Sequence, residues 1–92
     1  MIELNAARHD IGPRRAMTLL LQQVSSETGV TCDQILGDQR HRFVVDARQR
    51  LMAECHLLGY STAEIGRFIG RDHTTVMYAL RKLGVIPTPV RD

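Results

Sequence analysis

The chain has 92 residues, 43% hydrophobic and 24% charged, with a formal net charge of +2 and two cysteines. That is room for one modest core and excludes a second, enzyme-sized module. There is no Gly-rich loop ending in Gly-Lys-Ser or Gly-Lys-Thr, which excludes ATP hydrolysis by a phosphate loop, and Cys32 and Cys55 form no Cys-x-x-Cys pair, a cytoplasmic pattern.

The start, Met1-Ile2-Glu3-Leu4-Asn5, lacks a cationic region followed by a long apolar stretch, so no signal peptide is expected. Residues 1–13 carry little pattern and read as an N-terminal arm. Pro13 suits the first turn of a helix that buries Met17, Leu20, Leu21 and Val24 and ends near Gly29. The apolar-rich piece from Ala16 to Val24 is interrupted by Thr18 and Gln22-Gln23 and is far short of a membrane span. Thr31-Cys32-Asp33-Gln34 has the form of a capping box, predicting a short helix with Ile35 and Leu36 inward and Gly37 as its stop.

Asp38 to Val45 reads as a basic loop presenting Arg40 and Arg42, its far end anchored by Phe43 and Val44. Asp46 is expected to cap the next helix, which runs through Arg50, Leu51, Cys55 and Leu58 to Gly59. Cys55 falls on the apolar face of that helix, where a buried thiol is the ordinary reading.

From Ser61 onward the pattern is that of a helix-turn-helix. Ser61-Thr62-Ala63-Glu64 is a second capping-box form, Gly66 is the small residue needed where two helices cross, and Gly70 supplies the turn. Asp72 is placed to cap the second helix through its carboxylate, and Gly84 offers a stop after Lys82-Leu83. On that helix Val76, Ala79, Leu80 and Leu83 gather on one side. Thr74, Tyr78 and Arg81 point away and, with His73 and Thr75, form a polar and cationic surface suited to base edges and phosphates. The helix alone would also suit a solvated amphipathic segment; the glycine-spaced partner helix favours DNA.

From Arg40 to Lys82 there are eight basic side chains against four acidic ones, and three of the acids, Asp46, Glu64 and Asp72, sit at expected helix starts. Histidines 9, 41, 56 and 73 show no metal spacing, so no metal and no cofactor are expected. Asp72, His73 and Thr74 are neighbours on a helix and diverge, so they cannot relay a proton. The chain is not expected to be an enzyme.

Arg71-Asp72-His73-Thr74-Thr75-Val76 resembles the signature of the C-terminal DNA-binding domain, domain IV, of the bacterial replication initiator DnaA. The likeness runs from about Leu19 to Leu83 and includes Arg40-His41-Arg42, Ala47-Arg48-Gln49 and Glu64-Ile65-Gly66. It implies an all-α, compact multi-helix bundle with a helix-turn-helix, related in shape to the Trp repressor, over residues 14–84, followed by an extended tail at 85–92. It also implies that Arg40, with Arg42 in the same loop, addresses the minor groove, Arg48, Gln49 and Thr75 hold phosphates, and Arg71, Asp72, His73 and Thr74 meet base edges. His56 stands where the family often has a phosphate-binding lysine, and Tyr78 where histidine is usual. A single Gly70 replaces the family's usual glycine pair, shortening the turn by one residue.

The resemblance thus implies a stand-alone, sequence-specific binder of double-stranded DNA, cytoplasmic and associated with the nucleoid, without the initiator's ATPase. A transcription regulator is the expected role; free-standing domains of this kind occur in phages and phage-derived elements such as gene-transfer-agent loci. The N-terminal arm and the C-terminal tail are the segments open to a protein partner in the transcription machinery. The alternatives are a replication modulator competing for the initiator's sites, and a protein-docking module without DNA binding. No membrane and no small-molecule substrate are expected.

Overall fold

In the computed structural model, which describes residues 12–87, Pro13 opens the first helix at the position where a missing amide hydrogen costs nothing. Helix α1, Pro13–Thr28, buries Ala16, Met17, Leu20, Leu21 and Val24, each three or four residues from another, which places one stripe on the core. Gly29 ends it in the left-handed conformation at φ 77°, its amide returning to the Ser25 carbonyl. A short α2, Cys32–Leu36, follows at once. Both halves of its capping box form: the Gln34 amide donates to Thr31 Oγ1 at 3.1 Å and the Thr31 amide to Gln34 Oε1 at 2.9 Å. Ile35 is its buried residue.

Helix α3, Arg42–Leu57, buries Val44, Ala47, Leu51, Met52 and Cys55, and it packs against every other helix. Its start corrects two sequence expectations. Asp46 does not cap it: the helix begins five residues earlier than such a cap would give, with His41 at the cap position, because Val44 and Ala47 carry the apolar stripe a further turn back. Asp46 lies exposed on the opposite side, 4.0 Å from Arg42 one turn before it. Phe43, expected as an anchor, is 69% exposed, since it stands one helical step away from the buried Val44. Arg42 accordingly belongs to the helix, and the loop proper is 38–41.

Helices α4, Thr62–Ile69, and α5, His73–Lys82, pack most extensively against each other. The Ser61 capping box is complete, with the Glu64 amide on Ser61 Oγ at 3.1 Å and the Ser61 amide on Glu64 Oε1 at 3.0 Å. Gly66 and Gly70 then do different jobs. A Cβ on Gly66 would lie 2.6 Å from the Arg71 carbonyl oxygen, so the close approach of the turn backbone requires hydrogen there. Gly70 is needed for its φ of 73°, which reverses the chain and lets the Arg71 amide donate to the Gly66 carbonyl at 2.8 Å.

Fully buried Leu20, Ile35, Leu51, Ile65 and Leu80 come from five different helices, and each contributes about 1.5–3 kcal/mol of burial against the entropy of ordering its segment. All the described regular structure is helical, and no helix is long and apolar enough to cross a membrane. Beyond α5, Val85 and Ile86 fold back half-buried on the core, their amides directed to the Leu80 carbonyl at 2.9 and 3.4 Å. The first residues of the expected tail are therefore packed, while Leu83, expected inward, is 45% exposed. Most of the N-terminal arm and the tail from 88 onward lie outside the described residues.

Candidate nucleic-acid interface

Helix α5 buries Val76, Ala79 and Leu80 against the rest of the fold, which turns its first residues outward. Asp72, His73, Thr74 and Thr75 are exposed in succession, and Tyr78 continues the same surface at 72% exposure. Asp72 occupies the cap position with extended backbone, but its carboxylate makes no capping hydrogen bond. Instead it accepts from the Thr74 hydroxyl at 2.8 Å and lies 3.1 Å from His73 Nδ1. The expected cap is replaced by a side-chain cluster, because the Thr74 hydroxyl sits two residues on and reaches Asp72 from the exposed face. The Thr74 hydrogen bond, aided by the neighbouring His73, holds the Asp72 carboxyl below its ordinary value of 3.8.

The 38–41 loop is held from beneath by Arg48. This side chain is 7% exposed; its Nε donates to the Ile35 carbonyl at 2.7 Å and its Nη2 faces the carbonyls of Gly37 at 2.8 Å, Gln39 at 3.1 Å and Gln34 at 3.3 Å. The guanidinium expected to hold a phosphate is engaged through Nε and Nη2 by the carbonyls that end α2 and begin the loop. Burial, followed by the charge of Arg71, lowers its pKa, and Asp38 partly offsets both. Arg71, half-buried at the turn before α5, donates through Nη2 to the same Gly37 carbonyl and through Nη1 to the Ile69 carbonyl at 3.3 Å. The loop and the start of α5 are thereby tied edge to edge.

Arg40 and Arg42 are exposed on that loop and at its junction with α3. Gln49 is half-buried beside Arg48. His56 lies in the last turn of α3, about 21 Å along the helix from Arg42. Its Nδ1 is 3.1 Å from the Tyr60 carbonyl, which can only accept, so Nδ1 carries the hydrogen.

Sequence reasoning missed Gly37 as a shared acceptor, and nothing local marks it. It also missed the burial of Arg48, for which a signal existed: position 48 is four residues from both Val44 and Met52 and seven from Cys55, on the buried stripe.

The family described as bacterial dnaA protein helix-turn-helix matches residues 17–83. Among curated relatives, the chromosomal replication initiator protein DnaA of Deinococcus radiodurans is 44% identical over 68 residues, covering 73% of this chain and 15% of that protein. The protein of the same name from Deinococcus deserti is 43% identical over 65 residues, covering 70% and 14%, and that from Leifsonia xyli subsp. xyli is 40% identical over 70, covering 74% and 15%. The chain thus corresponds to a domain-sized part of much longer relatives. No solved structure gives a significant match. With a helix-turn-helix built from α4 and α5, and the match spanning α1 to the end of α5, this chain belongs to the bacterial DnaA helix-turn-helix family.

Proposed function

We propose that the protein binds double-stranded DNA sequence-specifically, with the N-terminal end of α5 in the major groove and the Arg40 loop along the adjacent minor groove. The observation that carries this reading is the joint placement of the exposed His73-Thr74-Thr75 turn and the cationic loop, linked through Arg71 and Gly37. In this reading His73, Thr74 and Asp72 meet base edges, Arg71 reaches them from its anchored position, and Tyr78 lies at the flank of the groove. Thr75 and Gln49 face phosphates, and His56 contacts phosphate only where the DNA extends to the far end of α3. Arg48 acts through the loop it supports. Binding is non-catalytic.

Fluorescence anisotropy with a duplex selected from a random pool tests the proposal. About five to seven phosphate contacts give a slope of log K against log salt of roughly −4 to −6. No binding at low salt by the folded protein would overturn it in favour of a protein-docking module.

For the biological role, occupancy or recruitment at promoters as a transcription regulator is the first reading, with protein contacts made by the arm or the tail. The identity to replication initiators supports a second, competition for initiator sites. Genome-wide mapping of bound sites separates them, promoter peaks supporting the first and origin peaks the second.

A further inference from the structure

Phe43 is an aromatic ring displayed where the fold does not need it. It stands in the first turn of α3 at 69% exposure, while its neighbour Val44 enters the core. The ring packs against His41, with centroids 4.8 Å apart and planes tilted by 32°. Two shallow hollows flank it, both lined by Thr28 and Val30 as well as Phe43, so it forms the ridge between them. Arg40 precedes this pair in the chain and Arg42 lies between its two members, both exposed. Arg42 has Asp46 at 4.0 Å, but with side chains 91% and 67% exposed the pair is weak and easily exchanged for a phosphate. The segment is also firmly based, since Arg48 holds the carbonyls of Gly37 and Gln39 just before it.

We propose that Phe43, braced by His41, is a DNA-contacting residue that packs on the sugars and base edges of the minor groove adjacent to the major groove entered by α5. This rests on the DNA-binding reading and adds to it an apolar contact within a cationic loop. The charge around the ring decides for a nucleic acid over a protein surface. A neutral ring that directly follows the exposed Arg40-His41-Arg42 segment lies where those cations draw in a phosphate backbone, and an aromatic face or edge supplies contact area that arginine alone does not. Because the contact releases no counterion, it adds affinity without adding to the salt dependence.

The test is Phe43→Ala in the full chain against the duplex selected with the unaltered protein. Affinity should fall roughly fivefold or more, with the salt slope and the thermal midpoint unchanged. Arg42→Ala in parallel should reduce the slope by about one. Since the chain contains no tryptophan, Phe43→Trp adds a single reporter whose emission should be quenched or shifted by saturating duplex. Unaltered affinity of Phe43→Ala, or a Phe43→Trp signal indifferent to DNA that the protein demonstrably binds, overturns the inference, leaves the DNA-binding reading intact and assigns the ridge to a protein contact. Failure of the unaltered protein to bind any duplex removes both.

Discussion

Arg48 and Arg71 share one acceptor, the carbonyl oxygen of Gly37. One arginine comes from the buried face of the central helix, the other from the turn of the helix-turn-helix. A carbonyl oxygen has two lone pairs, so both guanidinium groups are accommodated. The consequence is mechanical: Gly37, from which the loop bearing Arg40 departs, is tied both to the central helix and to the turn that opens α5.

Arg48→Ala is expected to act on stability before it acts on DNA. It leaves the carbonyls of Ile35 and Gln39 without this donor and that of Gly37 with Arg71 alone, at a cost of about 2–4 kcal/mol in urea unfolding. Arg48→Lys should recover only part of this, because one ammonium cannot span the set that a planar guanidinium does. Unchanged unfolding together with weaker DNA binding would assign Arg48 a direct phosphate contact instead.

The two glycines of the helix-turn-helix should respond unequally to the same change. Gly66→Ala puts a methyl group 2.6 Å from a backbone oxygen, and the crossing must open, costing about 2–3 kcal/mol. Gly70→Ala meets nothing within 4 Å and suffers only from its left-handed φ, about 1 kcal/mol. Thermal melts of the two variants give the comparison; equal midpoints would contradict the close-approach argument.

Asp72 titrates below its ordinary value of 3.8 because the Thr74 hydroxyl donates to it and His73 lies beside it. A carboxyl whose folded pKa is lowered adds stability that is complete above the unfolded value and disappears as pH falls through the folded one. Thr74→Val should therefore raise the Asp72 pKa toward 3.8 and narrow that acidic window. Carbon NMR titration of the carboxyl checks it, and an unmoved midpoint would dismiss Thr74 as the donor.

The two cysteines should differ in reactivity. Burial, with a smaller effect from Glu54, pushes the Cys55 thiol up to about 12, whereas Cys32 is only partly covered. At neutral pH a disulfide reagent should titrate Cys32 in the folded chain and Cys55 only after denaturation. Rapid labelling of both would mean that the core around Leu51 and Cys55 opens readily.

The helices of this protein are legible in its local chemistry. Thr31-Gln34 and Ser61-Glu64 write their own caps, Pro13 and Gly29 bracket α1, and the stripe through Val76, Ala79 and Leu80 assigns the face of α5 that turns inward. Each of these depends on residues within a few positions of one another, where spacing alone fixes geometry. The start of α3 was not legible from Asp46, because a good capping residue yields when Val44 and Ala47 behind it can be buried. Nor was the cap at Asp72, where a Thr74 hydroxyl competes for the carboxylate.

What the residues by themselves determined is a set of capped helices, a glycine-spaced crossing and an exposed polar turn at 72–75. Only the tertiary structure decided which arginines support the candidate interface and which are displayed on it. Arg40, Arg42 and Arg48 are chemically alike in the chain. They part company because α2 ends its carbonyls over position 48, and a guanidinium there is held by backbone acceptors rather than left to solvent.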